Sequence, residues 1–137
     1  MFENPAKDVR CALLRRVKNI AVIGLSPNPA RPSHAIAASM QKLGYHIIPV
    51  TPAARDVLGA KAYARLSDVD VPFDLVNVFR AAEYIDGIVD ECIALKAGAL
   101  WIQDGIVNEP AAERARAAGI MVVMDRCVYR DYRRDCA

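Results

Sequence analysis

The chain has 137 residues, and its 18 basic side chains against 16 acidic ones leave a formal charge of +2. That length fits one domain spanning 1–137, and so small an excess excludes the broad basic footprint of a dedicated nucleic-acid binder. The hydrophobic share is 54%, but 23 of those residues are alanine, and no run reaches the ~20 apolar residues that a spanning helix needs.

The segment from Met1 to Lys18 carries charges throughout and lacks the apolar centre of a secretory signal. Cys11, Cys92, Cys127 and Cys136 are widely spaced, with no C-x-x-C pair and no paired histidines near them. This pattern predicts no metal site and no membrane contact. It predicts reduced thiols in a cytoplasmic protein.

Asn4-Pro5 reads as a helix start, and Val9, Leu13, Leu14 and Val17 recur at helical spacing, which predicts an N-terminal helix over about 5–18. The core is expected over about 19–127. Its first strand is the apolar run from Ile20 to Ile23, ended by Gly24. Ser33 is a candidate cap for the next helix, with Ile36, Met40 and Leu43 facing inward and Gly44 stopping it. Tyr45 to Val50 is the second strand. Residues 53–72 read as a connection with short structure at most. Phe73 to Phe79 is the third strand, Glu83 to Lys96 a helix, Ala99 to Ile102 a strand, Pro110 to Ala118 a helix and Ile120 to Met124 the last strand. The polar tail, 128–137, is expected to lie over the surface.

Short, continuously apolar strands alternating with helices predict an α/β fold, with a five-stranded, mainly parallel, doubly wound sheet. The simplest order is 3-2-1-4-5. Ligands of such sheets sit beyond the strand carboxyl ends, where the strand order reverses. Here that crevice is expected between the strand ending at Gly24 and the strand ending at Phe79.

The loop after the first strand, Gly24 to His34, joins a strand to a helix, where helix amides commonly meet phosphate. It lacks G-x-G-x-x-G, with Gly24 its only glycine. Three prolines stiffen it, and Ser26, Arg31 and Ser33 supply polar groups. It reads equally as a pyrophosphate loop or as a plain proline-rich connection. The second strand ends at Thr51-Pro52 with no carboxylate for a ribose before Asp56; Arg55 is the nearest base, and more simply a surface charge. Phe79 and Arg80 end the third strand, where a ring could meet a base and a guanidinium a phosphate; a core ring beside a surface arginine is the plainer reading. Gln103 and Gly105 follow the fourth strand. His34, His46 and Cys127 do not assemble an acid, a base and a nucleophile, so no catalytic residue is assigned.

Taken together, Ile20 to His34 (IAVIGLSPNPARPSH), Gly44 to Pro52 (GYHIIPVTP), Val78-Phe79-Arg80, Trp101 to Asn108 (WIQDGIVN) and Val122 to Cys127 (VVMDRC) closely resemble the small stand-alone CoA-binding proteins. Those are Rossmann-like single domains, similar to the CoA-binding domain of the succinyl-CoA synthetase alpha subunit. The resemblance runs from about residue 10 to 130. It implies coenzyme A, or an acyl-CoA, as a small-molecule ligand bound without established catalysis. It makes Gly24 a ligand-binding residue and gives the CoA phosphates to the loop from Ser26 to Ser33, with Arg31 as the charged contact. The segment after Thr51 and Pro52, with Arg55 its nearest base, falls toward the 3'-phosphate, Phe79 and Arg80 border the adenine and ribose side, and Gln103, Asp104 and Gly105 face the pantetheine or phosphate region. The synthetase's phosphohistidine and nucleotide-grasping domains have no counterpart in these residues, so thioester synthesis by this chain alone is not expected. The reading is a binding or sensor module. A nicotinamide-nucleotide enzyme domain and a regulatory domain for a protein partner are the alternatives, and a second copy or a protein partner is allowed by the two terminal segments.

Overall fold

The structure, a computed structural model, describes residues 2–137. Helix α1 (Lys7–Arg16) precedes strand β1 (Asn19–Ile23), helix α2 (Pro32–Lys42) and strand β2 (His46–Val50). A small antiparallel ribbon follows, β3 (Asp56–Val57) with β4 (Ala60–Lys61), and then a 3-10 turn at Leu66–Asp68. The second half alternates β5 (Leu75–Val78), α3 (Ile85–Ala94), β6 (Ala99–Ile102), α4 (Glu109–Ala117) and β7 (Met121–Met124). It closes with α5 (Val128–Asp131), which runs into a π-helical turn, Tyr132–Cys136.

Five strands form one all-parallel sheet in the order β2-β1-β5-β6-β7. The doubly wound class is as expected, and the strand order reverses beside β1. In detail, the third sheet strand lies directly against the first, on the side away from β2. The period of two along each strand explains the layers. Ala21, Val76, Leu100 and Val122 face one side, where Ile85, Ile88, Val89 and Cys92 of α3 and three alanines of α4 cover them. Ile20, Val22, Leu75, Trp101 and Val123 face the other, against Leu13 and Leu14 of α1, Met40 of α2 and Val128 of α5. Leu13 and Leu14 are each 1% exposed; burial on that scale is worth about 1.5–3 kcal/mol per side chain, so α1 is held to the sheet by packing.

The outer edge of β2 tolerates Pro49 because edge strands need fewer ladder donors. Tyr63 covers that edge, donating its N–H to Pro49 O at 3.0 Å and accepting from Thr51 N at 2.7 Å.

Three local expectations are corrected. Helix α1 starts after Pro5, with Ala6 as its N-cap, because Asn4 is engaged elsewhere. The Asn4 amide donates to Met124 O and accepts from Met124 N, both at 2.8 Å, and so closes the end of edge strand β7 like a missing neighbour. Ser33 does not cap α2: Arg31 holds the N-cap position, Pro32 opens the helix, and Ser33 Oγ turns back to accept from Ser26 N at 3.0 Å. The tail is not a loose polar wrap, since Val128, Asp131 and Cys136 are buried.

The cysteines need the largest correction. Cys11 and Cys136 form a disulfide across 125 residues, with Cα atoms 5.2 Å apart, while Cys92 and Cys127 are free and buried. The sequence spacing hides this, because the fold brings α1 and the last turn onto the same face of the sheet. The expectation of four reduced thiols falls, and with it the argument from cysteine usage for the cytoplasm. Beside the disulfide, the fully buried Asp131 carboxylate accepts from Arg126 at 2.6 and 3.0 Å and lies 3.3 Å from Arg10 Nε. Arg10 also donates to Pro5 O at 2.6 Å. Among the described residues no helix is long and apolar enough to cross a membrane.

Candidate functional site

The sheet register lines up Val50, Ile23, Val78, Ile102 and Met124 in one row. The next residue of each strand therefore stands at the carboxyl rim: Thr51, Gly24, Phe79, Gln103 and Asp125. Four of these five are residues that the sequence singles out. The rim is a direct consequence of parallel pairing, and it collects side chains from all over the chain.

At its centre, Gly24 sits against β5. Its φ is +83°, and a Cβ there would fall 2.6 Å from Phe79 O. Only glycine combines that left-handed backbone with so close an approach. The loop beyond it is tied by its own side chains. Ser26 Oγ accepts from Asn28 N and Asn28 Oδ1 from Ala30 N, each at 3.0 Å, while Ser33 Oγ holds Ser26 N. The loop is thus preformed, with Arg31 exposed at its far end.

Between this loop and the ends of β5 and β6 lies a cavity of about 600 Å³. Gly24, Ser26, Arg31, Ser33, Phe79, Arg80 and Gln103 line it, together with Asp104 and Ile106. Seven of the ten predicted site residues are brought together here. Arg80 is half-buried and its guanidinium stacks on the Tyr84 ring, 4.0 Å from the centroid. Gln103 is buried; its Oε1 accepts from Asn77 Nδ2 at 3.1 Å and from Val128 N at 3.0 Å. Those two bonds fix which side of the amide can face the cavity.

Thr51, Pro52 and Arg55 are not part of this wall. Thr51 is buried and its Oγ1 accepts from Ala53 N at 3.1 Å. Pro52 borders a neighbouring hollow of about 320 Å³, which shares Arg80 and also holds Arg65, Tyr84 and Glu91. Arg55 is exposed at the start of the small ribbon and borders neither hollow. Arg65 escaped the sequence reading because it lies in the long connection, which carries no periodicity. The bridge between Val50 and Tyr63 is what carries it back to the rim.

Among the described residues, Asp104 is the one acidic residue that lines the cavity. Arg130 clasps it with two parallel bonds of 2.6 and 2.8 Å. The hydrogen bonds from Arg130 are the main reason its carboxyl is held below the usual range, with the Arg130 and Arg126 charges adding to them. Asp125, at φ +60°, accepts from Gly105 N at 2.7 Å. Of the two histidines, His46 sits 3.2 Å from Asn19 Oδ1 at the opposite, amino end of the strands.

A doubly wound parallel sheet, with a strand-to-helix loop tied by its own side chains and two arginines at the reversal of strand order, makes this a Rossmann-like domain with its cavity where ligands of such sheets sit. The chain belongs to the CoA binding domain family, whose model matches residues 18–133. It is similar to the uncharacterized protein YneT of Bacillus subtilis (strain 168), with 43% identity over 127 residues, 93% of this chain and 94% of that protein. Among solved structures it is similar to cell-free ID.343 from Thermus thermophilus, with 32% identity and a TM-score of 0.90 over 95% of this chain and 98% of that one. A hypothetical protein from Pyrococcus horikoshii OT3 superposes with a TM-score of 0.91 at 28% identity, covering 98% of this chain and 99% of the other.

Proposed function

We propose that this chain binds coenzyme A or an acyl-CoA by its phosphates in the cavity at the strand carboxyl ends, as a non-catalytic binding or sensor module. The observation that carries the reading is the approach of Arg31 and Arg80 to one cavity of about 600 Å³ beside the close-packed Gly24. A pyrophosphate needs a few well-placed guanidiniums and backbone that can come near, and it does not need a basic face. The net charge of +2 is compatible with that. The donor set fits the ligand: two arginines, the Ser26 and Ser33 hydroxyls, and a glycine in place of any side chain that would fill the cradle. The neighbouring hollow, with Pro52, Arg65 and the Arg80–Tyr84 stack, suits the adenosine end.

A nicotinamide dinucleotide is the weaker reading, because β2 ends at Thr51-Pro52 without a carboxylate to meet a ribose. Calorimetric titration with CoA, dephospho-CoA, NAD+ and NADP+ tests the choice. Heat with CoA and none with NAD+ is expected; clear NAD+ binding with no response to CoA overturns it.

A further inference from the structure

Asp104 poses an electrostatic problem. It lines the same cavity as Arg31 and Arg80. Left free, it would offset one of those two charges and repel any phosphate brought into the cavity. The fold meets this from outside the cavity. Arg130, 26 residues further along, lies on α5 and is not itself part of the wall, yet each of its terminal nitrogens donates to one Asp104 oxygen. Such a fork-to-fork pair fixes orientation as well as charge.

Arg130 is held in place by more than its own pair. Val128 N donates to Gln103 Oε1, so α5 starts against the cavity residue next to Asp104. The adjacent Asp131 is buried and paired with Arg126 and Arg10. The indole of Trp101 donates to Arg126 O at 2.8 Å. Asp125 binds the amide of Gly105 on the other flank of Asp104. The loop 103–105 is thus gripped at three successive residues by the segment 125–130.

We propose that Arg130 is a positioning residue for binding phosphate-bearing ligands: it pairs with the Asp104 carboxylate and neutralises it, so the cavity keeps the positive potential of Arg31 and Arg80. This rests on the reading that a CoA-type phosphate ester occupies the cavity. The Arg130 side chain is about half exposed, at 48%, so replacing it leaves the core intact. The effect is electrostatic and must therefore weaken as salt screens it.

The test is CoA affinity by calorimetry in low and high salt for the wild type, Arg130→Ala, Arg130→Lys and the double variant Arg130→Ala with Asp104→Asn. Expected is a roughly tenfold loss for Arg130→Ala at low salt that shrinks at 0.5 M salt, a smaller loss for Arg130→Lys, and recovery to within about twofold in the double variant. A merely structural clasp gives a different result, since the double variant lacks both hydrogen bonds and would stay as weak as Arg130→Ala. That result, or unchanged affinity in Arg130→Ala, overturns the proposal. If the wild type binds no CoA, the functional reading falls and this proposal with it; a wild type that binds while Arg130→Ala matches it sinks the present proposal alone.

Discussion

Cys11 and Cys136 bond the first helix to the last turn of the chain across 125 residues. Closing so long a loop removes freedom mainly from the unfolded chain, and native disulfides of this kind contribute about 2–4 kcal/mol. Replacing both cysteines by serine is expected to lower the urea midpoint by a corresponding amount while leaving the circular dichroism spectrum unchanged. The intact protein should also gain two hydrogens by mass on reduction under denaturing conditions. A mass that does not change on reduction contradicts the bond.

Gly24 tests the construction of the rim. A methyl group there meets Phe79 O at 2.6 Å, on a backbone with φ +83°. The left-handed conformation alone costs an L-residue about 1–2 kcal/mol. Gly24→Ala is therefore expected to lose at least that much stability in urea and to weaken ligand binding, because β1 and β5 must move apart where the cavity begins. Gly98→Ala is the control: a Cβ there meets nothing within 4 Å, and its stability should stay near that of the wild type.

Arg31 and Arg80 carry the proposed phosphate contacts. A charge-assisted hydrogen bond is worth about 1.5–3 kcal/mol, or ~10- to 100-fold in affinity. Arg31→Ala, at an exposed site, should reduce CoA affinity within this range and leave stability untouched. Arg80→Ala should reduce both, because it also removes the stack on Tyr84. Equal CoA binding by wild type and both variants, measured by calorimetry, counts against the phosphate roles.

The sheet and most of the rim were readable in the chain because both follow from short-range pattern. Runs such as Ala99 to Ile102 are apolar at every position, as strands buried on both faces usually are; Gly24 and Gln103 come just after such runs, and Phe79 after one broken only by Asn77. What the pattern omits is contact between distant segments that are not periodic. Arg65 reaches the rim only because Tyr63 bridges to Val50, and Arg130 reaches Asp104 only because the tail folds back, with α5 against α2 and the last turn against α1. Serine at a helix start is usually a cap, but in three dimensions the Ser33 hydroxyl serves the loop before it.

The 3'-phosphate contact distinguishes two arginines. Arg55 is the nearest base after Pro52 in the chain, but Arg65 shares a hollow with Pro52 and Arg80 in space. The ratio of CoA to dephospho-CoA affinity isolates that phosphate. It is expected to collapse toward unity in Arg65→Ala and to persist in Arg55→Ala. The reverse outcome would return the role to Arg55 and imply that the small ribbon folds over the ligand on binding.

Asp104 also sets a pH dependence. The Arg130 hydrogen bonds hold its carboxyl below the ordinary value of 3.8. A group whose pKa is lowered by folding adds stability above its unfolded pKa, and that contribution disappears as the pH falls through the folded pKa. The pair is about half exposed on both sides, 48% and 47%, so its effect on global stability is small. The local titration is the better readout. Carboxyl NMR of the wild type should place the Asp104 midpoint below that of a free aspartate, and Arg130→Ala should move it upward. Because loss of the Asp104 charge removes repulsion from the cavity, CoA affinity in Arg130→Ala should recover as the pH is lowered from 6 toward the Asp104 midpoint more than in the wild type, as long as the protein stays folded. Parallel pH profiles for the two proteins would mean that Asp104 is not what Arg130 controls.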